Sequence, residues 1–161
     1  MSNETLTNGK SGPPKVYLDV CCLQRPFDDQ RQERVRLEAE AVRLILRRVE
    51  AGQLAWLTSE VVDYEIAQTP DPERALKASL LADCAAAKLV VDNDVTARAT
   101  QLENLGFGGY DALHLACAES GPVELFFTTD DKLLKRAARH AADLRLRVVN
   151  PLAWLEEITA P

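Results

Sequence analysis

The sequence has no apolar run near the roughly 20 residues that a membrane-spanning helix needs. Its first residues are polar instead of a charged patch followed by an apolar stretch. No membrane association is therefore expected, and the cytoplasm is the expected location. Positive charge is not in surplus either: 19 Lys and Arg stand against 25 Asp and Glu, a net charge of −6. That excludes a surface that grips nucleic acid all over, because phosphate binding is driven by Lys and Arg. It leaves room for a local basic strip. Cysteine is sparse and unpatterned. Cys21, Cys22, Cys84 and Cys117 form no Cys-x-x-Cys pair and no finger spacing, and the adjacent Cys21 and Cys22 point to opposite faces of an extended chain. Neither a disulfide framework nor a structural zinc site is expected. Internal repeats and low-complexity segments are also missing.

What is present is enough chain, 161 residues, for one domain with a single core. The 47% apolar and 27% charged composition is that of a folded chain. Residues 1–14 hold too little apolar material to pack and are expected to be a flexible lead, with a single domain over 15–161. Val16, Tyr17, Leu18 and Val20 make a short apolar run that suits a buried parallel strand, interrupted by one charge, Asp19. A loop is expected around Arg25 to Asp29. Val35, Ala39, Val42, Ile45, Leu46 and Val49 at helical spacing predict an amphipathic helix over 33–50.

Alternation continues downstream. Leu54 to Thr58 reads as a strand, Ser59 as the cap of a helix running to about Gln68, and the Ala- and Leu-rich stretch over 73–87 as a helix. Leu89 to Val91 is a short strand or extended link, followed by a helix capped by Asp94. The glycine turn 106–109 precedes a helix over 110–119. Leu125 to Thr128 is the clearest later strand, a helix follows over about 130–141, and Leu146 to Val149 closes the sheet. Asn150-Pro151 opens a last helix as cap and first-turn proline. Strands alternating with helices predict an α/β fold, a three-layer α/β/α sandwich around a mainly parallel sheet of four to five strands.

In an open parallel sheet, ligands collect outside the carboxyl ends of the strands. Asp19 lies near the end of the first strand, and Asp130 follows the run Leu125 to Thr129. Burying Asp19 costs several kcal/mol unless something pairs with it. Glu65, four residues after Val61 and three after Val62, shares their apolar face. Asp111 stands in the first turn of a helix that is apolar on nearly every side. Each acid has a plainer role open to it: Asp111 or Asp130 as compensation for a helix dipole, about 0.3–1 kcal/mol, and Glu65 as a half-buried stem. His114, one turn after Asp111, reads as an interior imidazole. Four carboxylates converging would repel strongly, one pair about 4 Å apart being worth about 4 kcal/mol at an effective dielectric near 20. A divalent cation resolves this, and oxygen ligands with no His or Cys nearby favour Mg²⁺ or Mn²⁺.

The order of these pieces, strand-Asp19, helix-Glu65, Asp111-Ala112-Leu113-His114-Leu115-Ala116, then Phe127-Thr128-Thr129-Asp130 before a helix, resembles the PIN domain from about Lys15 to Leu155. Many PIN proteins are Mg²⁺- or Mn²⁺-dependent ribonucleases, and many bacterial ones are VapC-type toxins of toxin–antitoxin pairs. The resemblance implies a ribonuclease whose catalytic and metal-holding acids are Asp19, Glu65, Asp111 and Asp130. Thr128 or Thr129 would orient the cluster, with Asp131 beside it. RNA is then the substrate, an antitoxin protein the partner, and a homodimer the assembly. The sequence departs from the family at Val20, where Thr or Ser is usual.

Arg25, Arg31 and Arg34 near the first strand, with Lys132, Lys135 and Arg136 after Asp130, are the local basic candidates. Arg25, a short loop from Asp19, is the preferred phosphate contact. Two other readings are weighed. A PIN-like binding module without catalysis fits the net acidity and Val20. A phosphoacceptor receiver domain needs a lysine at the end of the last strand, where Val148-Val149-Asn150-Pro151 stands instead.

Overall fold

The computed structural model describes residues 12–161. Of the expected flexible lead, residues 1–11 lie outside the described residues. Pro14 already belongs to the fold, since its carbonyl accepts a hydrogen bond from Ala55 N–H at 2.9 Å. Five parallel strands, β1 (Lys15–Leu18), β2 (Ala55–Ser59), β3 (Ala87–Leu89), β4 (Leu125–Phe127) and β5 (Arg147–Val149), form one sheet in the order β3-β2-β1-β4-β5. Among the described residues eight α-helices connect and flank them: α1 (Val20–Gln24), α2 (Glu33–Glu50), α3 (Glu60–Ala67), α4 (Pro72–Ala82), α5 (Asn93–Asn104), α6 (Gly109–Ser120), α7 (Asp131–Arg139) and α8 (Pro151–Thr159).

Period-two alternation assigns the two faces of the central strands. Tyr17 stacks on Phe126 with ring centroids 5.1 Å apart, and this face meets α6 through His114. Phe127, paired in register with Leu18, meets Trp154 of α8 edge-on at 5.3 Å on the opposite face. Helices therefore cover both faces, and β1 and β4 at the centre are buried nearly throughout. Because β1 sits between β2 and β4, the connections leave in opposite directions on its two sides. The crevice of such a sheet lies at that switch point, beyond the ends of β1 and β4.

Several local expectations are corrected. Asp19 is not inside the strand but one residue past it, as the cap of α1, and a short helix plus a 3-10 turn (Arg25–Phe27) stand where a loop was expected. The carboxylate accepts from Val20 N–H, which is what starts the helix. Helix α4 ends at Ala82, not near Ala87, because the chain must turn back to pair β3 with β2; the sheet overrides alanine's helix propensity. Asp92, not Asp94, caps α5.

Candidate metal centre at the sheet switch point

Asp19 is buried and held by neutral donors. Val20 N–H reaches Oδ1 at 2.8 Å, the Thr128 hydroxyl donates to Oδ2 at 2.9 Å, and the Cys21 thiol lies 3.5 Å from Oδ2. Asp19 N–H also donates to Phe127 O at 3.0 Å, so β4 fixes the backbone while Thr128, next along, fixes the carboxylate. At Val20, where the family's usual hydroxyl is missing, the backbone N–H and the neighbouring thiol and threonine do the holding.

Glu65 reaches the same place from α3, and His114 from α6. The Nε2 of His114 lies 2.5 Å from Glu65 Oε2 and 3.9 Å from Asp19 Oδ1, while its Nδ1 lies 2.6 Å from the Tyr17 hydroxyl, itself 2.7 Å from Ser59 Oγ. A buried hydrogen-bonded line therefore runs Ser59–Tyr17–His114–Glu65, from the end of β2 across β1 to α6 and α3. Ser59 is anchored in turn as the cap of α3, accepting from Val62 N–H. Reading the sequence alone left His114 as an interior imidazole and did not single out Tyr17. Their spacing held the signal: His114 is three residues after Asp111 on one helix face, and Tyr17 stands two residues before Asp19 at the end of β1. The expectation that no His or Cys stands near the acids is corrected, for His114 and Cys21 both do.

Asp19, Glu65 and His114 each offer one ligand atom, all within 4.8 Å of one another. Adjacent ligands about 2.1 Å from Mg²⁺ stand about 3 Å apart, so the 2.5 Å contact of His114 with Glu65 is a hydrogen bond, and the Asp19 and Glu65 carboxylates are the donors that fit a divalent cation. Asp111 and Asp130 lie outside that triad but are coupled to it. Burial first, then the charges of Asp19 and Asp130, push the Asp111 carboxyl up to about 6. Asp19 is raised by burial and Glu65, against the opposing pull of His114 and Thr128. Burial alone would lower His114, but its bond to Glu65 and the charges of Asp19 and Glu65 outweigh that and raise it. Burial and the repulsion between carboxylates raise the two acids together, and the raised imidazole reflects the negative surroundings of His114.

Asp130 caps α7, accepting from Lys132 and Leu133 N–H through Oδ1 and donating its own N–H to Thr128 Oγ1 at 3.1 Å. Thr128 thus bridges Asp19 and Asp130. Thr129 is buried, with its N–H directed at Cys21 Sγ, and Asp131 is taken by Arg34 of α2 in a two-pronged pair. Asp111 and Asp130 line a cleft of about 300 Å³ together with Lys132, Lys135, Arg136 and Arg139 of α7. The basic candidates therefore separate. Those after Asp130 line a cleft beside acids, with Arg139 added one turn on. Arg25, Arg31 and Arg34 are each engaged by carboxylates: Arg25 by Asp28 and Glu38, Arg31 by Asp29, Arg34 by Asp131 and Glu38.

The family model of the PIN domain matches residues 16–140. The chain belongs to the PIN domain family, whose members are generally nucleases. Its fold is similar to that of VapBC-1 from nontypeable Haemophilus influenzae, at a TM-score of 0.55 and 15% identity over 85% of this chain and 98% of that one. It is also similar to VapBC2 from Rickettsia felis, solved bound to a DNA fragment from their promoter, at a TM-score of 0.54 and 14% identity over 84% and 98%. At these identities the likeness is one of fold. No curated protein matches the sequence.

Proposed function

We propose that the chain is a divalent-metal-dependent ribonuclease that hydrolyses RNA phosphodiester bonds, and that it acts as the toxin of a toxin–antitoxin pair. The observation that carries the reading is the triad of buried Asp19 and His114 with half-buried Glu65 at the end of β1, with Asp111 and Asp130 beside a cleft lined by basic residues of α7. Asp19 and Glu65 would hold the cation, Asp111 and Asp130 would complete the acidic cluster, and carboxylates outnumber the imidazole, so Mg²⁺ or Mn²⁺ fits the donors. When bound, such an ion supplies an activated water and charge stabilisation at the phosphorus.

The chain's own residues do the rest. Thr128 and Val20 N–H fix the Asp19 carboxylate, and the Tyr17–His114 line orients Glu65. Lys132, Lys135 and Arg139 meet the flanking phosphates as point charges and forks. Arg136 shares itself with Gly106 O. Arg25 is a lesser candidate for that role, because a phosphate there would compete with Glu38 and Asp28. The VapBC likeness supports an antitoxin protein as partner, and a homodimer is the assembly that the family resemblance implies. Among the described residues no helix is long and apolar enough to cross a membrane, in keeping with work in the cytoplasm.

The test is cleavage of end-labelled single-stranded RNA with MnCl₂ or MgCl₂. Cutting is expected with either ion, lost on chelation, and reduced roughly 10³-fold by Asp19→Asn, since metal-borne charge stabilisation is worth several kcal/mol. Undiminished cutting by Asp19→Asn, or no calorimetric binding of either cation, ends this reading. Cation binding without cutting would mark a PIN-like binding module instead.

A further inference from the structure

The chain has nine aromatic residues, and most are interior: Tyr17, Trp56, Phe126 and Phe127 are fully buried, and Phe107 and Trp154 nearly so. Phe27 is partly exposed but carries the Lys77 ammonium over its ring at 5.6 Å. Tyr64 and Tyr110 remain, 61% and 41% exposed, with ring centroids 6.1 Å apart and planes tilted by 37°. They come from different helices, α3 and α6, and from the same place in the site. Tyr64 immediately precedes Glu65, and Tyr110 immediately precedes Asp111.

Consecutive helical residues point about 100° apart. When Glu65 and Asp111 turn toward the sheet ends, the preceding rings are therefore left standing at the rim, one residue from the acids. An exposed pair of rings has apolar surface to cover, and its tilt leaves the rings not fully closed on each other. A nucleobase covers such a surface whatever its identity, because every base has a π-face.

We propose that Tyr64 and Tyr110 form a stacking platform for an unpaired nucleobase beside the phosphate to be cut, which makes the substrate single-stranded. The proposal rests on the nuclease reading of the neighbouring acids. It also accounts for how a chain of net charge −6 holds RNA: the α7 cations meet the phosphates, and stacking, which salt does not screen, adds affinity. A base inside a duplex is already stacked and hydrogen-bonded on both sides, so the platform discriminates against paired substrate.

The test is binding, read without cutting. The Asp19→Asn chain is titrated into a short fluorescein-labelled oligoadenylate and into an abasic ribose-phosphate strand of equal length, followed by fluorescence anisotropy at several salt concentrations. Tyr64→Ala and Tyr110→Ala are each expected to weaken oligoadenylate binding about 10-fold, with Tyr→Phe restoring it. The loss should vanish on the abasic strand, and the slope of log K against log salt should stay unchanged, since no phosphate contact is removed. Equal losses on both strands, or no loss on either, overturn the platform.

Light scattering is measured alongside, because Leu76 and Leu80 on the neighbouring α4 are also exposed. A dimer that Tyr64→Ala converts to monomer, with RNA binding restored at protein concentrations high enough to re-form the dimer, assigns the rings to a protein interface and overturns the proposal too. Failure to cut RNA under any metal leaves these binding outcomes readable, so the two readings fail separately.

Discussion

Glu38 and Asp19 are both buried carboxylates, 1% and 6% exposed, and their surroundings are opposite. Glu38, on the inner face of α2, has Arg25 Nη2 at 3.0 Å and Arg34 Nε at 3.4 Å from Oε1, and Asn150 Nδ2 donates to Oε2 at 2.5 Å. Its charge is met inside the protein, by groups that tie the segment after α1, the helix α2 and the start of α8 together. Asp19 has a backbone N–H, a hydroxyl and a thiol, and the nearest basic group, His114, is engaged with Glu65. The first arrangement serves the fold. The second fixes a carboxylate in place while leaving its charge to be met from outside.

The largest expected difference is in stability without metal. Glu38→Gln removes the buried charge that Arg25 and Arg34 share, each of which keeps a second carboxylate partner, and should cost about 2 kcal/mol, as losing hydrogen bonds to a charged group does. Asp19→Asn removes a buried charge held only by neutral donors, so in chelator it should leave stability unchanged or raised. Urea unfolding of both variants in EDTA makes the comparison. Equal losses would erase the distinction between the two carboxylates.

The same contrast predicts a dependence on pH. Asp111, raised from 3.8 to about 6, keeps its proton longer folded than unfolded. Between those values the native state binds more protons, so stability falls as pH rises from about 4 to about 6. A shift of that size is about 3 kcal/mol undiluted, and about 1–2 kcal/mol for a carboxylate partly open to solvent. Raised Asp19 acts in the same direction. Raised His114 extends the loss upward, because its stabilising proton is fully present below its unfolded value and leaves as pH climbs through the folded one. Metal-free protein should therefore melt lower at pH 7 than at pH 5. Added Mn²⁺ should restore the difference by supplying the missing positive charge. Asp111→Asn should flatten the lower part of the profile. A melting temperature that rises between pH 5 and 7 in EDTA would contradict the charge excess.

These contrasts mark what the sequence made legible. The span of α2, Glu33–Glu50, follows from its apolar spacing alone, and the alternation of strands and helices foretold the parallel sheet. Asp19 stood out because a lone charge after an apolar run is costly. Helix α1 escaped because five residues show no period, and α4 was drawn too long because alanine content does not say where the chain must rejoin the sheet. The Ser59–Tyr17–His114–Glu65 line joins four elements far apart in sequence, so only the fold assembles it. The engagement of Arg25 with Glu38 stayed hidden. Glu38 lies between Val35 and Val42, three and four residues away on the apolar face of α2, which is where the buried partner could have been sought.

The smallest effect asked of this contrast concerns how Asp19 is held. Thr128 Oγ1 donates to Asp19 Oδ2 and accepts from Asp130 N–H, so Thr128→Val, nearly the same in volume, removes both bonds and leaves two buried polar groups less well met. About 1 kcal/mol of stability should be lost. Cleavage should fall about tenfold, chiefly in kcat, as the carboxylate gains freedom to turn, and Thr128→Ser should recover most of it. Val20 N–H and the Cys21 thiol still hold the other contacts, which is why the loss stays well short of that in Asp19→Asn. Unchanged cleavage by Thr128→Val would mean that the helix cap alone fixes Asp19, and that the hydroxyl bridge between the two acids serves only the packing of β4 against α1.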